Sequence, residues 1–235
     1  LKVITGAHAK ELILDGKRVT GVIYKMNGQG QDIAVNATRE VILCGGALKS
    51  PQILQVSGIG DPGDLTKHGI KVRHNLPGVG KNLQDHLDFT LSYKSRDTDN
   101  FGIGPVGAMR LLGHLWRWGR HGNSMMASPF AEGGAFLKTS PALDRPDIQL
   151  HFVIALVDDH ARKLHYGYGY SCHVCKLRPE SRGSVTLHST DPFAPPAIDP
   201  AFLEDERDLE TTIKGARMAR DILQAPALAE YRHKE

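Results

Sequence analysis

The 235 residues contain no apolar run long enough to cross a bilayer, so no membrane-spanning helix is expected. Net charge is only +3, and no basic stripe interleaved with aromatics occurs, which argues against a nucleic-acid partner. Cysteine is scarce: three residues make no disulfide framework, and the odd count suits a reducing compartment, so a cytoplasmic location is expected. Cys172 and Cys175 form a C-x-x-C, but in YSCHVCKL, which reads as a strand. Residues three apart on a strand face opposite sides, so neither a metal nor a redox role is expected of them. The start, LKVITGAHAK, has no initiator Met and no signal-peptide pattern, so the chain is expected to begin inside a longer protein.

What is present is ordinary for a globular protein, at 23% charged and 40% hydrophobic residues, and long enough to bury a sizeable core. The organising stretch is residues 41–60, VILCGGALKSPQILQVSGIG. Val41, Ile42 and Leu43 read as a strand buried on both faces of a parallel sheet. Gly45 and Gly46 then turn the chain, Ser50-Pro51 reads as a helix start, and Gly58 as its left-handed exit. A strand, a glycine turn and a helix N-terminus present free amides and a positive dipole end, which suit a phosphate or an anionic cofactor edge. Cys44 is expected to be a small buried residue beside that turn.

Residues 46–60, GALKSPQILQVSGIG, resemble the second sequence signature of the glucose-methanol-choline oxidoreductases, flavoenzymes that oxidise alcohols. Small residues, Ser50-Pro51, Ile53, Leu54 and Ser57-Gly58-Ile59-Gly60 carry the match. LPGVGKNLQDH at 76–86, and RPESRGS with SVTLHSTDPFAPPAIDP at 178–200, match the family's wording again, nearest to its choline dehydrogenase-like and aliphatic alcohol dehydrogenase branch. The resemblance implies FAD as cofactor, an alcohol as small-molecule substrate and an electron acceptor whose identity stays open. It implies a mixed α/β and α+β fold: part of an FAD/NAD(P)-binding Rossmann-like domain with an inserted β-meander, then a mainly antiparallel substrate domain. The segments it suggests are residues 1–88, 89–200 and a helical 201–235. By resemblance the cofactor-binding positions are Ala9 near the adenine, Cys44, Gly45, Gly46, Ser50 and Pro51 at the turn, and Asn82 and Asp85 in a cofactor-covering loop. The family's catalytic His, paired with a second His or Asn, is expected beyond Glu235, and its dinucleotide fingerprint upstream of Leu1. GIGDPG at 58–63 formally fits G-x-G-x-x-G but follows a helix and contains Pro62, so it is not that fingerprint.

Along the chain, residues 1–5, 9–14 and 18–26 read as strands, the last two joined at Asp15-Gly16, with a turn at 28–30 leading into a further strand from 32. Asp64–Gly69 reads as a helical turn and 70–73 as a strand. Asp85, His86 and Asp88 read as turn and capping groups rather than metal ligands. Residues 89–94, 134–138, 148–156, 170–177 and 184–188 imply an antiparallel sheet, on which His151 is the one substrate-side polar candidate. Residues 105–120 have helical spacing, with Val106, Met109, Leu112, Leu115 and Trp116 on one face and a basic opposite face. Packing on a domain is expected of it, with peripheral membrane contact as the alternative. Asp199-Pro200 reads as the cap of a last helix buried through Leu209, Ile213, Ala216 and Ile222.

Three readings follow: a piece of a flavin-dependent alcohol dehydrogenase, inactive alone; a non-catalytic binding module built on the same fold; or an enzyme completed by another chain.

Overall fold

The computed structural model describes residues 2–98, 100–158, 162–163 and 165–235. Its strands are β1 (Ala7–Asp15), β2 (Arg18–Met26), β3 (Gln29–Asn36), β4 (Ile59–Gly60), β5 (His74–Asn75), β6 (Lys81–Leu83), β7 (Asp88–Ser95), β8 (Ala131–Leu137), β9 (Ile148–Val153), β10 (Tyr168–Lys176), β11 (Gly183–Thr186) and β12 (Ala197–Asp199). The helices are α1 (Gly46–Val56), α2 (Pro62–Lys67), α3 (Pro105–His121) and α4 (Glu206–Leu223). The chain divides into two compact units, Leu1–Asp85 with Ser181–Phe202, and His86–Glu180 with Leu203–Glu235.

In the first unit β1, β2 and β3 form the expected antiparallel meander. The first hairpin turns at Gly16-Lys17, between the paired Asp15 and Arg18 and one residue later than the sequence suggests, with Gly16 taking φ +57°. The second turn is Asn27-Gly28, both at positive φ, one residue earlier than the sequence suggests; that pair supplies the twist a two-residue hairpin needs. The strand expected at residues 1–5 does not form: residues 2–4 carry no element and Leu1 lies outside the described residues. Gly6, at φ +71° and accepting from Asn27 N, turns the chain just before β1.

Residues 41–43 are not a strand. Ile42 is 75% exposed, and a strand exists through its ladder partner, which this run lacks among the described residues. Nor does the helix begin at Pro51: α1 starts at Gly46 with Gly45 as its cap, and Pro51 lies inside. A proline there removes the intrahelical donor from the Ala47 carbonyl. The exit is as expected, with Gly58 at φ +85° and its amide on Gln55 O. Ser57 ties the helix to the meander: its Oγ accepts from Leu12 N at 2.9 Å and donates to Ile53 O at 2.6 Å.

Asp61 caps α2, and Gly69 at φ +68° stops the chain beyond it. The strand expected at 70–73 forms later, as β5, parallel to β4. The strand expected at 184–188 does form, as β11, but not in the substrate sheet; it pairs with β12 and β6 in the first unit. Alternation marks a strand without naming its partner. Gly183 selects this one, since a Cβ there would stand 2.1 Å from Asp199 O.

The second unit is built on an antiparallel sheet in the order β7-β10-β9-β8. Period-two alternation assigns its side chains to two faces, although Ser171 and Cys175 of the central strand β10 are buried on the second face as well. Leu91 and Tyr93, Tyr170, Cys172 and Val174, and Ile148 and Leu150 point into a core that Ala219 and Leu223 of α4 complete. Each fully buried large side chain there contributes about 1.5–3 kcal/mol. The buried face of α4 is Asp208, Thr212, Gly215, Ala219 and Leu223, whereas Leu209, Ile213 and Ile222 are exposed, which reverses the expected stripe. Gly215 is the reason: with no side chain it lets the helix sit directly on Ile148 and Val174, and this close approach fixes which face turns inward. Its cap is Asp205, not Asp199; Asp199 ends β12 and accepts from Ala201 N instead.

α3 forms almost as predicted but does not pack as predicted. None of its residues is buried, and its apolar stripe faces outward.

Candidate functional site

In the first unit, the N-terminal half of α1 and the loop into β6 enclose an open cleft of about 350 Å³. Ala47 and Pro51 line one side, residues 80–84 the other, and Val185 closes the end. The amides of Gly46, Ala47 and Leu48 precede the first intrahelical bond, Lys49 N to Gly45 O, so the helix end offers donors and a positive dipole. Gly46 takes φ +69° with open space where a Cβ would stand, so a ligand can approach its backbone closely. Gly45 is needed for a different reason: a Cβ would stand 2.9 Å from Ser50 N.

The far wall is held by three bonds. Val185 N donates to Gly80 O at 2.6 Å, Gln55 Nε2 donates to Val185 O at 2.9 Å, and β6 pairs with β11 through Leu83 and Lys81. Asn82 sits at φ +63°, a left-handed conformation that Asn tolerates better than most residues, so its place here is explained by the backbone. Lys81 Nζ reaches Asp64 Oδ2 at 3.0 Å, and with Lys67 it holds that carboxyl below its ordinary range.

The cleft therefore brings together Pro51 and Asn82, with Gly45, Gly46 and Ser50 on the same helix end. Ala9 lies on β1 opposite Tyr24, beside a bulge. Asp85 is exposed at the end of the first unit. Cys44 is exposed rather than buried, because the run before it has no covering strand. Gly80 and Val185 are wall residues that the sequence did not single out. GVGKN marks a turn, but nothing in it names Val185 as the partner.

The second unit offers a different surface. The sheet face away from its core carries Asp88 and Thr90, His173 and Cys175, and Gln149 and His151 from three adjacent strands. His173 Nδ1 donates to Asp88 Oδ2 at 2.5 Å, and Thr90 Oγ1 lies 3.2 Å from the same nitrogen. His151 stands opposite His173 on one side and Gly134 on the other. Eighty-five residues separate Asp88 from His173, and only strand register pairs them. Cys172 and Cys175 lie on opposite faces, as their spacing implies. Burial pushes the Cys172 thiol up to about 11 and, with Asp88 adjacent, Cys175 up to about 12, so both are protonated at neutral pH.

Burial opposes ionisation of Asp88, but the hydrogen bond from His173 and its charge outweigh that and hold the carboxyl below its ordinary range. A depressed carboxylate contributes stability above its unfolded pKa and loses it as pH falls through the folded value. Asp88→Asn is therefore expected to flatten the acid limb of the stability curve as pH falls below about 4, while changing its shape little at neutral pH. Urea midpoints measured at several pH values decide this. An unchanged acid limb would show that the pair contributes nothing.

Comparison with known proteins adds to this geometry. Two family models, both described as GMC oxidoreductase, match residues 1–88 and 179–235. An alcohol dehydrogenase [acceptor] of Pseudomonas putida is 40% identical, aligned over 100% of this chain and 43% of its own length. An oxygen-dependent choline dehydrogenase of Staphylococcus aureus (strain JH9) is 37% identical over 98% of this chain and 40% of its own. Among solved structures, pyridoxine 4-oxidase from Mesorbium loti superposes with a TM-score of 0.79 at 27% identity, over 100% of this chain and 42% of that one. Aspergillus oryzae RIB40 formate oxidase gives 0.86 at 24% identity, over 97% and 45%, a likeness of fold. The chain spans about two fifths of the length of the curated relatives it matches.

Proposed function

Because the chain belongs to the GMC oxidoreductase family, we propose that it serves FAD-dependent oxidation of a primary alcohol to an aldehyde. It contributes the later part of the flavin-binding domain, with the loop that covers the cofactor, and the substrate-binding sheet. The cleft between α1 and residues 80–84 carries this reading, because it joins Pro51 and Asn82 beside free helix amides. Its donors fit an acceptor-rich cofactor edge: amides and a dipole end, no acidic lining side chain, and an open approach at Gly46. When bound, FAD accepts the hydride from the alcohol carbon. The chain's own residues hold it: Gly46 and Ala47 present amides, Pro51 stiffens the helix beside the loop, and Asn82 keeps the loop turned over the cleft. On the sheet face, His151 is the group that binds the alcohol hydroxyl. The base that takes the hydroxyl proton is outside these 235 residues.

The protein produced from its complete reading frame is incubated with FAD, gel-filtered, and mixed with a primary alcohol without oxygen. The expected result is flavin absorbance that elutes with the protein and bleaches on addition of alcohol. Retained flavin that stays oxidised would favour a binding module on the same fold. Loss of flavin on the column would sink the cofactor assignment.

A further inference from the structure

The start of α3 lies close against its own unit: Gly107 lets the helix approach Gly102 O, where a Cβ would stand at 2.1 Å. From Leu111 onward the inner face of the helix stands over a cavity of about 560 Å³. Protein interiors are close-packed, so a space of this size under a helix is ligand-sized rather than a packing flaw; small-molecule sites run from about 300 to 1,000 Å³. Phe101, Leu111, Met125 and Met126 give the cavity an apolar wall. The Tyr168 ring, beside Gly102 and Gly107, borders it at the close-contact end.

The charged lining has one sign. Arg110, His114 and Arg117 fall at i, i+4 and i+7, on the one helix face that lines this cavity, and among the described residues no Asp or Glu lines it. Arg110 is engaged, donating to Thr98 O. Arg117 is not saturated: its Nε donates to Asn123 Oδ1 at 3.3 Å, and its two terminal nitrogens bond nothing among the described residues. The His114 ring, partly buried, also has no hydrogen-bond partner among them. Asp97 and Glu132 line an adjoining cavity that shares His114 but not Arg117, so Arg117 is the seat for an anion. A neutral apolar molecule would leave that guanidinium unused, and a bare inorganic anion would leave the apolar wall unused. The planar fork of arginine matches the two oxygens of a carboxylate. We propose that this cavity binds a monocarboxylate with an apolar tail, its head on Arg117 beside His114 and its tail along Leu111, Met125 and Met126. Binding there needs no flavin chemistry.

The test is isothermal titration calorimetry on the complete protein, without alcohol, using octanoate, acetate and octyltrimethylammonium as probes. Octanoate is expected to bind saturably, one molecule per chain. Acetate, which lacks the tail, should bind roughly tenfold more weakly or worse. Octyltrimethylammonium keeps the tail and reverses the charge, and should not bind. Arg117→Gln is expected to weaken octanoate binding about tenfold, with an unchanged circular dichroism spectrum. Arg117→Lys keeps the charge but not the fork and should lose less. Met126→Glu sets a carboxylate against the tail and should lower affinity by about tenfold or more. Three results would overturn the proposal: no saturable octanoate binding, equal affinity for octyltrimethylammonium, or octanoate binding indifferent to Arg117→Gln, which would seat it elsewhere on the protein.

Discussion

Gly80→Ala is expected to destabilise the protein by about 2–5 kcal/mol and to abolish flavin retention. Two costs add. Gly80 takes φ +76°, where a Cβ is strained by about 1–2 kcal/mol. The Cβ would also stand 2.1 Å from Val185 O and 2.6 Å from Gln55 Nε2, the pair that fixes the far wall of the cleft. Moving Val185 pulls β11 from β6, so the loop at 80–84 and the seat of Asn82 shift with it. Gly46→Ala is the control. It shares the left-handed φ, at +69°, but meets nothing within 4 Å, so it carries the strain of about 1–2 kcal/mol without the clash. Urea unfolding of both variants separates the terms. Equal losses would mean that the close approach at Gly80 contributes nothing, and the wall described above would be wrong.

That contrast shows what the sequence could carry. The glycine turns at Gly16 and Gly58 and the alternating strands were legible, because each depends on neighbours a few residues away, whereas the caps read at Ser50 and Asp199 fell instead on Gly45 and Asp205. The meander and the four-stranded sheet followed. What depended on distant partners was misplaced. β11 reads as a strand by its own pattern, yet Gly183 against Asp199 O assigns it to the first unit. Residues 41–43 have the composition of a buried strand and no ladder partner among the described residues. The apolar positions of α4 gave one face and Gly215 chose another, since close approach of a backbone to Ile148 and Val174 outweighs a scattered stripe of leucine and isoleucine. At the cleft, family wording pointed to Pro51 and Asn82, but Gly80 and Val185 emerge only once α1, β6 and β11 are side by side. The Asp88–His173 pair had no sequence signal at all, because it is made by register across β7 and β10.

Asp208→Ala is expected to be the most damaging single change in the second unit, at about 3–5 kcal/mol, because it strands a buried cation. Lys176 Nζ lies 2.5 Å from Asp208 Oδ1, and their side chains are only 8% and 5% exposed. The carboxylate also accepts from Glu180 N at 2.8 Å and stands in the first turn of α4, where the dipole favours an anion. Removing Asp208 leaves Lys176 its contact to Arg207 O at 3.4 Å, too long to offset burial of the charge. Lys176→Met is expected to cost less, about 1–3 kcal/mol, since Asp208 keeps the Glu180 amide and the helix end. The double change Lys176→Met with Asp208→Ala removes both charges, and its cost should fall below the sum of the two single changes. A double-mutant cycle by urea unfolding measures the coupling. If the double variant is as unstable as the sum of the two single changes, the pair acts as two independent packing groups, and α4 is held on the sheet by Gly215, Ala219 and Leu223 alone.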